Sequence, residues 1–347
     1  MLRRASLALA ALATLAGSAT ASPAAAIRPA DRDPSPVFVS SCAVMFGVRS
    51  AGSSTTRAGF LGGGTGFMER EDKSIVRIFN LTGYDSTGFQ RIADRLCGDV
   101  PAELSAAGYQ VRTDSAATHF IWADRDSTGQ TSPQDQKLAQ TRYVVYARAG
   151  APILDPWIVG GMKGPKLQDW ETTVARQYGL RPVRVLYFVD FATIEAAKGK
   201  RFIGLNVAEV SSTLQVTVGA SVSSYDAASA KCSRGAPFGK HKTREFCSMR
   251  GNSAFQQGQY QLPDDDERAF RDPVVSVDEV TSGAQKFVDG LSAVLPRRNK
   301  TVSDTKEFNV AVDMSRYEAR VIEGAAGVLT KVMAAIDDPS KRKNEKR

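Results

Sequence analysis

Histidine is nearly missing from this chain: only His119 and His241 occur among its 347 residues. That scarcity excludes most chemistry that depends on imidazole. No G-x-S-x-G marks a nucleophile elbow, so a Ser-His-Asp hydrolase is not expected. There is no H-E-x-x-H, and two histidines this far apart do not make a histidine-rich metal site. His119, in Ala-Thr-His-Phe-Ile-Trp, reads as a packed side chain, and His241, between two lysines, as a solvated one. Cysteine is scarce too, with four residues and no C-x-x-C. The glycine run from Gly59 to Gly66 lacks the Lys-Ser/Thr that would make it a phosphate loop. No apolar stretch approaches the ~20 residues a membrane helix needs. The sequence therefore predicts no cofactor, no metal and no transmembrane helix.

What is present points to export. Arg3 and Arg4 precede an Ala/Leu-rich run from Leu7 to Leu15, and Ala19-Thr20-Ala21 supplies a small-x-small cleavage site. Residues 1–21 are expected to be a signal peptide and 22–36 an extended, proline-containing leader. No cysteine follows the signal to take a lipid. Hydrophobic residues at 42% and charged residues at 24% are ordinary globular values, which argues against a disordered or fibrous chain. The formal charge of +8 invites a nucleic-acid reading, but its distribution argues otherwise. Two of those charges belong to the signal, and a net four belong to the tail Lys341-Arg-Lys-Asn-Glu-Lys-Arg347. The body is near neutral. Residues 339–347 read as a solvated basic tail able to touch an anionic surface weakly.

An even number of cysteines in an exported chain predicts disulfides. Cys232 and Cys247 bracket a polar loop containing Gly235, Pro237 and Gly239, which makes them the natural pair; Cys42 and Cys97 remain for each other. Four cysteines allow three connectivities, and spacing alone does not choose among them.

Along the chain, residues 37–48 read as a strand and the Ser/Thr/Gly-rich 49–66 as a loop. An apolar strand at 75–79 precedes a helical face of Phe89, Ile92, Ala93, Leu96, Cys97, Val100 and Leu104, with a kink or break expected at Pro101. Gly108 is placed to end that helix, and 109–112 reads as a second strand. A polar loop at 124–141 leads to a strand at 143–146. Pro165 opens a helix that Gly179 closes, and Val183–Val189 is a strand apolar on both faces. Alternation over 206–222 is the cleanest signal: Val210, Leu214, Val216, Val218, Ala220 and Val222 on one face. Residues 253–262 are its expected hairpin partner. Asp278 is placed to cap a helix ending before Pro296, a strand follows at 308–312, and Ser315 with Glu318 make a capping box for a last helix to Ile336. The expected fold is α+β: a mixed, mainly antiparallel sheet with helices packed on one face and long loops, forming a single domain over 37–338 or two intertwined halves.

Carboxylates remain as acid/base candidates, because a pair of acids leaves no local motif. Asp190 ends a buried strand in Phe-Val-Asp-Phe, with Glu195 five residues on. A turn or hydrogen-bonding role is the simpler reading of both. Trp157 sits in a Gly/Pro-rich loop and could line a sugar or peptide groove. The run Asp264–Glu267 reads as a solvated loop, since the D-x-D-x-D-G spacing of a calcium loop is missing.

The order of elements carries a resemblance. The strand and turn Ile75–Gly83, the helix and Gly108-Tyr-Gln-Val that follow, the helix and apolar strand from Trp170 to Val189, and the long alternating strand 206–222 are similar to the curli-secretion lipoprotein family. They are similar also to the amino-terminal domain of the Tol-system propeller protein. The likeness covers about half the chain and implies an envelope secretion or assembly partner. The family's lipid-anchor cysteine is absent. The expected function is thus a non-catalytic periplasmic protein that binds or helps assemble a cell-envelope protein or polysaccharide, with no nucleic-acid partner. The alternatives are a secreted carboxylate-dependent hydrolase of glycan or peptide, and a peripheral or oligomeric outer-membrane secretion component.

Overall fold

One strand, β1 (Val37–Thr56), organises the molecule, because three others take their places along its twenty residues. Its first half pairs in parallel with β5 (Arg181–Ala197), from Val37–Arg181 to Phe46–Val189. Its second half pairs antiparallel with β2 (Glu71–Thr82), from Arg49–Asn80 to Thr56–Lys73. Its middle pairs antiparallel with β4 (Thr141–Ala147), which carries β3 (Gln134–Leu138) as a hairpin. These contacts come from a computed structural model that describes residues 35–56, 71–122, 132–138, 140–154, 171, 174–197, 201–202, 205–206, 209–224, 231–234, 245–248, 252–253, 269–280 and 300–337. The expected signal, glycine run and basic tail lie outside these residues, as does the leader up to residue 34.

Short pairs complete the strand count: β6 (Arg201–Phe202) with β7 (Leu205–Asn206), and β9 (Lys231–Arg234) with β10 (Glu245–Ser248). The predicted alternating strand is β8 (Glu209–Ser224), antiparallel to β5, with Val216, Val218, Ala220 and Val222 buried as the two-residue period requires. β11 (Asn252–Ser253) and β12 (Ala269–Phe270) add to its outer side; of the expected hairpin partner at 253–262, all but Ser253 lies outside the described residues. On the other side, β14 (Lys300–Val312) runs parallel to β2, and β13 (Val274–Glu279) forms the edge. The sheet is mixed and mostly antiparallel, and with its helices the fold is α+β as predicted.

Helix α1 (Ser86–Ala106) begins where the Asp85 carboxylate accepts from the Gly88 amide at 2.6 Å. Its predicted apolar stripe is buried throughout. Pro101 does not break it: the ring lies on the exposed side, while buried Val100 and Leu104 hold both flanks to the core. Gly108, at φ 87°, closes the helix with Gly108 N–H to Ser105 and Tyr109 N–H to Leu104, the paired bonds of a Schellman end. The expected strand at 109–112 shrinks to one bridge between Val111 and Val37, because Asp114 caps α2 (Ser115–Trp122) immediately afterwards.

The last predicted helix is two, α3 (Met314–Ala325) and α4 (Val328–Asp337), separated at Gly327 with φ 79°. Its cap is Asp313, which accepts from the Arg316 amide at 2.9 Å; Glu318 instead ion-pairs with Arg91 on α1 at 3.0 Å. Asp278, predicted as a cap, lies within β13, where Val277 pairs with Val310 and the backbone completes the ladder. Residues 49–56, predicted as loop, continue β1. Gly52 permits this, since a Cβ there would overlap Ile194 of β5. Residues 134–138 form β3 although no apolar face announces them; backbone pairing alone carries that strand.

The main core joins α1, α3 and α4 to one face through Phe46, Phe89, Tyr187, Val218, Tyr317 and Leu329. Phe46 and Phe89 stack at 4.1 Å. Ala43, Met45, Val145, Ile153 and Leu186 form a second cluster, and Phe38, Leu154, Val174 and Leu180 a third. Val174 belongs to the helical residues 174–178 that end at Gly179, as predicted. Cys42 and Cys97 form a disulfide that ties β1 to α1, with Cα atoms 5.6 Å apart. In the β9–β10 ladder Cys247 pairs in backbone register with Cys232, and the side chains of both lie outside the described residues. Among the described residues two ion pairs are buried: Arg181 with Asp337 at 2.7 Å, and Arg184 with Glu171 at 3.0 Å.

Candidate functional site

The predicted carboxylates do not converge. Asp190 pairs with Thr217 and Glu195 with Ser211 along one extended ladder. Five strand residues separate their backbones by ~16 Å, at about 3.3 Å each. Asp190 instead accepts a hydrogen bond from the Tyr143 hydroxyl. Burial, then the adjacent Asp190 charge, raises the Tyr143 pKa, so the phenol stays a donor. Thr141 donates to that phenol, and the Thr141 and Ser50 hydroxyls lie 3.5 Å apart. A Cβ on Gly47 would come within 2.9 Å of the Asp190 carboxylate, so glycine is what lets β1 pass. Asp190 thus anchors a polar chain that crosses β5, β4 and β1. Trp157 and His241 lie outside the described residues, as do the side chains of Glu195 and His119. Among the described residues no group of His, Cys, Asp and Glu is placed to hold a metal.

Strands β1, β3 and β4 also border an open cleft of about 550 Å³. It is lined by Arg49 and Ala51 of β1, Asp135, Gln136 and Lys137 of β3, Gln140 of the hairpin turn, and Arg142 of β4. Register explains its character. Lys137 stands directly opposite Arg142, and Arg142 directly opposite Arg49. Residues opposed across a ladder share a face, and neighbouring strands lie about 4.8 Å apart. Three cations therefore stand abreast on three adjacent strands. The row continues through Asn80 and Asn309 to Asp278.

Among the described residues, two exposed carboxylates neutralise this row in part. Asp135 meets Arg142 at 2.9 Å, but both side chains are more than half exposed, which leaves the pair water-screened. Glu307 reaches Arg49 only at 3.7 Å, and the same oxygen accepts from Asn80 at 2.8 Å. Like charges directly opposed across strands are unfavourable. The cleft thus offers two guanidiniums, an ammonium and the Gln140 carboxamide, with the Asp135 carboxylate among them. Such groups bind and orient an anion. Sequence reading missed Arg49, Lys137 and Arg142 because each sits among ordinary polar residues; only the pairing of three strands brings them together.

No protein-family model, curated protein or solved structure matches this chain.

Proposed function

We propose that the protein is an exported, non-catalytic binding protein that holds an anionic component of the cell envelope in the cleft of Arg49, Lys137 and Arg142. The observation that carries this reading is the row of three cations in register. The Cys42–Cys97 disulfide supports the compartment, because such bonds persist where the environment oxidises thiols. The sequence supports it with a leader of signal-peptide form. The likeness in element order to envelope secretion and assembly proteins points the same way.

The test is osmotic-shock fractionation of producing cells, followed by cosedimentation of purified protein with isolated envelope material. Release into the shock fluid, with envelope binding that weakens as salt rises, is the expected result. Retention in the cytoplasm, or envelope binding indifferent to salt between 20 and 300 mM, would contradict it; at ~0.1 M salt the Debye length is already only about 10 Å.

A further inference from the structure

The geometry points to the chemical class of the ligand: we infer that the cleft takes an acidic saccharide, a linear chain carrying a carboxylate or phosphate on successive sugar units. The inference rests on the cleft being the binding site proposed above. Four features select the class.

First, the cations form a line. Lys137, Arg142 and Arg49 repeat at the strand spacing of about 4.8 Å. That step is close to the length of one sugar unit in a linear chain, so a charge on each unit meets a cation on each strand. A single small anion satisfies at most two of the three. Second, the lining includes an amide. Gln140, in the turn between β3 and β4, has both a donor and an acceptor, which suits sugar hydroxyls and gives nothing to a simple inorganic ion beyond its charge.

Third, none of the described residues lining the cleft is aromatic, so among them it has no platform of the kind on which nucleobases stack. Fourth, the free protein keeps three like charges abreast at an energetic cost. A bound polyanion removes that repulsion, which the exposed pairs Asp135–Arg142 and Glu307–Arg49 offset only in part.

The experiment is isothermal titration of the full chain at low salt with a galacturonic acid tetramer. Uncharged galactose tetramer, inorganic phosphate and a single-stranded oligonucleotide are titrated alongside. The variants are Lys137→Gln and the double Arg49→Gln/Arg142→Gln. All three side chains are exposed, so the variants are expected to fold, with melting temperatures at or above the parent's. The acidic tetramer should bind, the neutral one should not, and each cation lost should weaken binding about tenfold, as loss of a charged hydrogen bond does.

Equal binding of acidic and neutral tetramers, or undiminished binding to the double variant, would overturn the assignment. So would phosphate binding as tightly as the tetramer, or the oligonucleotide binding more tightly. Failure of the ligand class is separable from failure of the function. If the double variant loses its hold on envelope material while the tetramer never binds, only the ligand class falls. If the double variant still holds envelope material, the cleft itself is not the site.

Discussion

Replacing Asp337 by Asn isolates the electrostatic role of a side chain that is fully buried at the end of α4. Its Oδ1 receives Arg181 Nη2 at 2.7 Å and its Oδ2 the Tyr109 hydroxyl at 2.5 Å, while Arg181 Nε donates to Ser224 at 2.6 Å. Four segments meet at this one carboxylate: α4, β5, β8 and the turn after α1. Asn keeps the shape but removes the charge, leaving a guanidinium only 3% exposed without its counterion. Breaking one partner of a buried pair costs about 3–5 kcal/mol, whereas replacing both by apolar groups of similar volume is often neutral. Urea denaturation followed by circular dichroism should therefore show Asp337→Asn losing about 3–5 kcal/mol. The melting temperature should fall by roughly 6–10 °C, at about 2 °C per kcal/mol for a chain this size. The double variant Arg181→Met/Asp337→Leu should recover most of that loss. A cost below ~1 kcal/mol for Asp337→Asn, or a double variant no better than the single one, would refute the reasoning.

Three further outcomes follow from the core. Cys42 and Cys97 are 55 positions apart, so the chain-entropy model gives their disulfide about 4 kcal/mol; reduction should lower the urea midpoint accordingly, and an unchanged midpoint would contradict the model. Burial, and then the Asp99 charge, raises the Glu103 pKa, so the ionised carboxylate opposes folding. The stability from that shift is complete below the ordinary glutamate value, near pH 4, and is lost as pH rises through the raised pKa. Glu103→Gln should accordingly stabilise the protein at pH 7 and make no difference at pH 4, as read by denaturant midpoints at the two values. Gly52→Ala places a methyl group against Ile194 and should cost about 1–3 kcal/mol, while Gly98→Ala, in open space on α1, should stabilise by about 0.5–1 kcal/mol.

What the sequence reveals here is what is local. The burial of Val216 to Val222 follows from alternation, and that of α1 from spacings of three and four, because each pattern repeats within one element. The disulfide between Cys42 and Cys97 is legible by elimination once the other pair is assigned. The cap at Asp313 is not, since Ser315 and Glu318 offer an equally good local motif and only the pull of Arg91 on Glu318 decides against it. β3 is invisible because Gln134–Leu138 has no apolar face. The ionic anchors Arg181 and Arg184 look like surface residues at the head of an apolar strand, although Asp337 and Glu171 bury them. The cleft is the extreme case. Arg49 lies 93 positions from Arg142 in sequence, and nothing along the chain announces that a bulge near Gly47 sets the two opposite each other.

The binding role rests on the cleft, and charge reversal there tests it most directly. Purified wild-type protein, the double variant Arg49→Glu/Arg142→Glu and a form lacking residues 341–347 would each be cosedimented with isolated envelope material at 20 mM salt. The cleft reading predicts that the double variant stays in the supernatant while the tail-less form still sediments. Sedimentation of the double variant, with loss of binding only when the tail is removed, would place the interaction in the basic tail and contradict the account.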